Sequence, residues 1–294
     1  MRAICHRVMC GYWICASWKL RGFFTMAKNE LVSSVVKLVS LFEALATQDE
    51  MALSDISNTI KVHKSTAYRF LTSLKELGYV KQNAENEKYS LTLRLFEVGA
   101  EVLARLDEKE AARPVMKKLA EQTQETVHLG MLDGEDVVYI DKIDSPQTLR
   151  MYSKIGLRSP AYCTAIGKAL LAWAPSDVIT HLVGQENAYR FTDYTLVEPY
   201  RIREELHKIK ERGYAEDNEE HEMGVCCIAA PIRNMAGEVT AAISVAMPTL
   251  WWPLLSELLC PCRSQAISFS EQPRAVLTAQ GKRRSNLGRS KRAL

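Results

Sequence analysis

Two groups of side chains in this chain could do chemistry. The first is a run over residues 61–69, where Lys61, His63, Lys64, Ser65, Thr66, Tyr68 and Arg69 occur with no acidic residue among them. Cations and hydroxyls without a carboxylate suit a polyanion. Lys64 and Arg69 can reach phosphates or guanine N7 and O6, while the hydroxyls of Ser65, Thr66 and Tyr68 can meet phosphate oxygens or base edges. His63 heads the same run. This is binding chemistry, and a capped, solvated helix start is the bland alternative to it.

The second group combines thiols and carboxylates late in the chain: Cys163, Cys226 and Cys227, His221, and the acidic stretch Asp217-Asn218-Glu219-Glu220. A cysteine nucleophile needs a base within hydrogen-bond reach and a depressed thiol pKa. No Cys/His spacing here shows one, so an enzyme acting on a small organic acid through Cys163 or Cys227 stands only as the alternative reading. Zinc is no better served, because adjacent cysteines on a strand point to opposite faces. No metal, cofactor or catalytic residue is expected. His128 reads as a strand histidine with an ordinary hydrogen bond.

The chain has 294 residues, 47% of them hydrophobic, enough for two domains with real cores. Its 38 basic and 35 acidic residues leave a net charge of +3. That is too slight for a general polyanion binder, so any contact with nucleic acid must come from a local concentration of charge. The cysteines form no repeating disulfide framework and no paired CxxC knuckles, which suggests reduced thiols in a cytoplasm. Residues 1–25 interrupt their apolar positions with Arg, His and Lys, so neither a signal peptide nor a membrane span is expected there. They form an irregular extension, and Met26 opens a far more regular sequence, as a translation start would. Residues 250–294 are again irregular and basic, and read as an out-of-frame tail.

The elements that position the first group lie in a domain over 26–91. Helical spacing of Val36, Val39, Leu41, Phe42 and Leu45 predicts a helix over 34–46. A short helix opens at Leu53 and Ser54, with Ser54 as candidate N-cap, and ends near Ile60. A third begins at 63–65, turns Ala67, Phe70, Leu71, Leu74 and Leu77 inward, and stops at Gly78. Alternation over 79–82 and 88–91 around 83–87 predicts a hairpin, and the whole describes a winged helix-turn-helix. A linker helix over 92–112 has broad apolar coverage; it pairs with a second copy or packs within its own chain. In the domain over 113–249, Pro114 suits the first turn of a helix over 115–122. Strands are predicted over 126–132, 136–143 and 149–153, helices over 167–173 and 199–212, and a closing hairpin over 226–232 and 239–247. Helices inserted among hairpins predict an antiparallel α+β domain.

Four ordered stretches resemble the IclR family of bacterial transcription regulators. They are Lys64-Ser65-Thr66-Ala67-Tyr68-Arg69-Phe70-Leu71 with Leu77-Gly78-Tyr79-Val80; Tyr89-Ser90-Leu91-Thr92; Thr164-Ala165-Ile166-Gly167-Lys168-Ala169-Leu170-Leu171-Ala172; and the segment from Asp217 through Met223-Gly224-Val225 to Ala229. The resemblance implies a winged helix that binds double-stranded operator DNA through His63, Lys64, Ser65, Thr66, Tyr68 and Arg69. It also implies a dimerising linker helix and a GAF-like effector domain for a small organic acid, in a homodimer or dimer of dimers with no membrane partner. By the same resemblance the effector pocket comprises Ala165, Ile166, Asp217, Cys227 and Ser244, with the turn into the helix at Ile166-Gly167 suited to a carboxylate. Where some members carry a second serine, this chain has Ala246. Each pocket residue has a plainer reading: an inert thiol for Cys227, a solvated loop for Asp217, and a backbone-satisfied strand position for Ser244. Stretches 149–156 and 214–220 look most like the subgroup that represses sugar-acid breakdown in response to 2-keto-3-deoxygluconate.

Overall fold

The computed structural model describes residues 31–147, 153–183, 188–252 and 267–268. The chain divides into two units, Met1–Arg105 and Leu106–Leu294. Among the described residues, no helix is long and apolar enough to cross a membrane.

In the first unit, α1 (Ser33–Ala46), α2 (Leu53–Thr59) and α3 (Lys64–Glu76) precede a ribbon of β1 (Val80–Gln82) and β2 (Tyr89–Leu91), followed by α4 (Arg94–Leu103). The three helices and the ribbon close on Leu41, Leu45, Ile56, Leu71, Leu74 and Val80. Gly78, at φ +79°, ends α3 as expected. Its N–H donates to the Lys75 carbonyl at 3.0 Å and the Tyr79 N–H to that of Leu74 at 2.9 Å, the paired bonds of a Schellman motif. This stop turns the chain directly into the wing. Leu77, expected inward, is 61% exposed because it falls on the cap. Ser54 is not the N-cap of α2 either. Ala52 holds that position, since Met51 is already fixed by backbone bonds to Tyr89 at 2.8 and 2.9 Å.

The single helix expected over 92–112 is two. After α4 the chain becomes extended at Leu106, and α5 (Asp107–Thr123) starts afresh with Asp107, Glu108 and Glu110 in its first turn. Acidic residues there favour a new N-terminus. Pro114 is consequently inside α5 and not at its start; it has no N–H to donate to Glu110.

The second unit is an antiparallel sheet with helices on both faces. In order across it run β5 (Arg158–Pro160), β4 (Asp136–Ile143), β3 (Thr126–Asp133), β8 (Val239–Pro248), β7 (Val225–Arg233) and β6 (Ala215–Asn218). A two-residue β9 (Ile267–Ser268) pairs parallel with β7. One face is covered by α6 (Ala165–Leu171), α7 (Ser176–Val183) and α8 (Pro199–Arg212), burying Ile166, Leu171, Leu206 and Ile209. The other is covered by α5 through Met116 and Leu119. With both faces covered, β7 and β8 are buried almost without interruption, and the usual alternation is lost. The α+β fold is as expected, while β5, β6 and α7 are additions that periodicity did not announce. The strand expected over 149–153 lies outside the described residues except for Ser153.

Candidate functional site

The first candidate surface is the start of α3. His63 occupies its N-cap position with extended backbone, and no acidic residue stands in the first turn. His63, Lys64, Ser65, Tyr68 and Arg69 are exposed and Thr66 is half-buried, while Ala67, Leu71 and Leu74 anchor the opposite side. A cationic, hydroxyl-bearing strip on the second helix of a helix-turn-helix has the chemistry and placement for a major groove. Lys61, in the turn before it, adopts φ +53°, a left-handed conformation unfavourable to a side chain. One contributor escaped the sequence reading. The Glu50 carboxylate accepts from the amides of Asn83 at 3.0 Å and Asn86 at 2.8 Å, pinning the tip of the wing. Those two bonds, Asn86 first, hold Glu50 below the usual carboxylate range.

The second is a cleft on the face of the sheet covered by α6. Register defines its floor, because directly paired residues share a face. One row runs His128, Ser244, Ala229, Ala215; the next runs Thr126, Ala246, Cys227, Asp217. A bulge between β3 and β4 pairs Gly130 with Tyr139 and His128 with Lys142, bringing Tyr139 onto the same face. The cleft is small and partly open, and Ala165, Ile166, Asp217, Cys227 and Ser244 all line it. Every pocket residue named from the sequence therefore meets in one place. His128, Tyr139, Thr164, His221, Glu222 and Val225 complete the lining and were not singled out for it. For His128 a signal existed: its strand position is two residues from Gly130, on one face of a period-two strand.

Thr164 caps α6, its hydroxyl accepting from the Gly167 N–H at 3.2 Å. That N–H is thus engaged, and the first-turn N–H groups of Ala165 and Ile166 are the ones left without an intrahelical acceptor. Gly167 is needed by close approach: a Cβ there would stand 2.2 Å from the Ala161 carbonyl oxygen. Behind the turn, Lys168 forms a buried ion pair with Glu220. Hydroxyls of Thr192 and Thr195 donate to the Glu219 and Glu220 carbonyls, each at 2.6 Å, fixing the acidic segment.

Burial raises Asp217 to about 7, against the pull of Lys168 and with Glu220 pushing further upward. Burial also pushes the Cys163 and Cys227 thiols well up, which leaves them protonated and poor nucleophiles. Cys226 turns away from the cleft, its thiol donating to Asn218 Oδ1 at 3.2 Å. The Asp217 shift has a testable consequence. Its folded pKa lies above the unfolded value, so between pH 4 and 7 the folded state keeps a proton that the unfolded chain has released, and stability falls as pH rises. His128, lowered by burial to about 4, acts in the opposite sense, so the comparison is between variant and parent. Asp217→Asn is expected to melt higher than the parent at pH 8 by a few kcal/mol equivalent, with the gap shrinking by pH 5. A gap independent of pH would place the proton elsewhere.

A winged helix-turn-helix joined in one chain to a cleft-bearing α+β unit is the organisation of a ligand-responsive DNA-binding regulator. Residues 34–84 match the IclR helix-turn-helix domain and residues 100–252 match the C-terminal domain of the bacterial transcriptional regulator IclR. The chain belongs to the IclR family of bacterial transcriptional regulators. It is 46% identical over 219 residues to the HTH-type transcriptional regulator KdgR of Escherichia coli, covering 74% of this chain and 83% of that protein. Against the KdgR of Dickeya chrysanthemi the identity is 44% over 219 residues, covering 74% and 72%. The crystal structure of Thermotoga maritima IclR superposes with a TM-score of 0.61 at 30% identity, covering 74% of this chain and 86% of that one.

Proposed function

We propose that this regulator represses genes of sugar-acid catabolism and releases its operator when a small organic acid, with 2-keto-3-deoxygluconate the first to test, occupies the cleft. The observation that carries this reading is the meeting of Ala165, Ile166, Asp217, Cys227 and Ser244 in one partly open cleft, together with the similarity to KdgR proteins. The acid's carboxylate takes the N–H groups of Ala165 and Ile166 and a proton held on Asp217, while Ser244 and Cys227 meet its hydroxyls. Ligand control requires that the acid prefer one arrangement of the assembly. That assembly is a cytoplasmic homodimer or dimer of dimers. The exposed Phe96, Val98 and Val102 of α4 are apolar side chains that a second copy would cover.

The test is selection of bound duplexes from a random pool, then mobility shift of the selected DNA with and without 2-keto-3-deoxygluconate. Release by the acid supports the reading, and no retained duplex at low salt rejects it. Within the interface, Arg69→Ala is expected to weaken binding and to lower the slope of log affinity against log salt by about one. An unchanged salt titration would remove Arg69 from the phosphate contacts.

A further inference from the structure

We infer that His128 determines ligand specificity in the cleft by reading an oxygen on the far, hydroxyl-bearing part of a six-carbon acid. The inference rests on the proposal that the cleft binds an organic acid.

Two polar groups that frame the cleft are already engaged within the protein. Thr164 donates to the Pro160 carbonyl at 2.9 Å and accepts from Gly167. Asp217 Oδ1 accepts the Glu220 N–H at 2.8 Å. His128 differs. It is 1% exposed, and its Nε2 lies 2.7 Å from Ser153 Oγ. The Ser153 carbonyl in turn accepts from Lys142 Nζ at 2.6 Å. The ring leans on Tyr139 at 4.9 Å between centroids. It is therefore held in one orientation, and among the described residues its Nδ1 has no hydrogen-bond partner while the residue lines the cleft. Because burial keeps the ring neutral near pH 7, it offers a hydrogen bond and not a charge, which suits a hydroxyl or carbonyl oxygen.

Position sets the length of ligand that can reach it. Ile166 packs over Gly130, where a Cβ would come within 3.0 Å of the Ile166 side chain. His128 is two residues along the same strand face, about 6.6 Å away. That backbone spacing is of the order of the length of an extended six-carbon acid and exceeds that of a three-carbon acid. Ser244, paired directly with His128 across β3 and β8, supplies a second hydroxyl partner beside it.

The test is calorimetric titration of the full chain with 2-keto-3-deoxygluconate and with 2-oxohexanoate, an acid of equal length without the hydroxyls. The parent is expected to prefer the hydroxylated acid. His128→Phe should cut that preference about tenfold, and His128→Asn, which retains a polar atom near the Nδ1 position, should keep part of it. Equal weakening toward both acids in His128→Phe would mean a structural role and overturn the inference. So would a parent that binds both acids equally, although the cleft would remain an acid site. A parent that binds neither acid would reject the cleft reading itself. If His128→Phe does not fold, Ser153→Ala serves instead: freeing the ring should reduce the preference several-fold, and an unchanged preference overturns the inference.

Discussion

Replacing Lys168 with methionine is expected to destabilise the second unit by about 3–5 kcal/mol, the usual cost of removing one partner from a buried ion pair. Lys168 is 1% exposed and Glu220 7%, so no water replaces the lost cation. Burial already raises Glu220, with Lys168 the chief opposing influence. Without the lysine, Glu220 must take up a proton or stay ionised in a dry site. Asp217, which Lys168 also pulls down, should rise further. In a unit of this size each kcal/mol moves Tm by about 2–4 °C, so the melting transition of the variant should fall by about 10 °C at pH 7. The loss should shrink at pH 5, where protonating Glu220 costs less. The double variant Lys168→Met/Glu220→Met should recover most of the stability, because a well-packed apolar pair often matches a buried ionic one. A single variant that melts with the parent would mean that the pair is not a sealed one.

Gly167→Ala carries the next largest expected effect. The added methyl would meet backbone at Ala161, its Cα at 2.3 Å and its carbonyl oxygen at 2.2 Å, and backbone cannot rotate away as a side-chain end can. Overpacking of this kind costs about 1–3 kcal/mol when the surroundings yield. Here yielding means shifting α6 away from the turn at Ala161, which displaces Ala165 and Ile166 from the cleft. The variant should therefore lose stability and also bind 2-keto-3-deoxygluconate at least tenfold more weakly if it folds. Thermal melting and calorimetric titration check the two losses separately. Gly99, inside α4 and with nothing within 4 Å of its added Cβ, is the control site; alanine there should leave binding unchanged and, if anything, raise stability by up to about 1 kcal/mol through helix propensity.

The first unit was legible because its elements are local and amphipathic. Leu41, Leu45, Leu71 and Leu74 recur at helical spacing, and Gly78 marks a stop that only a left-handed residue makes cheaply. The cleft was legible only in pieces. Asp217, Cys227 and Ser244 came from the family resemblance, since nothing nearby in the sequence distinguishes Asp217-Asn218-Glu219-Glu220 from a solvated acidic loop. Only pairing with β7 buries Asp217. Lys168 was missed for the same reason. A lysine inside an apolar helix usually keeps its head in water, and its partner Glu220 is distant in sequence. The break between α4 and α5 was hidden because Leu103 and Leu106 continue the helical spacing across it, while the acidic first turn after Leu106 competes with that continuity.

The strand order also has a consequence in time. β8 lies between β3 and β7, yet it is the last of the six main strands to be synthesised. Until residues 239–248 leave the ribosome, β5, β4 and β3 have no route to β7 and β6, and the cleft has no floor. The first unit closes over short sequence separations and can fold well before then. Each nascent chain thus completes the exposed face of α3 while the place for its ligand does not yet exist.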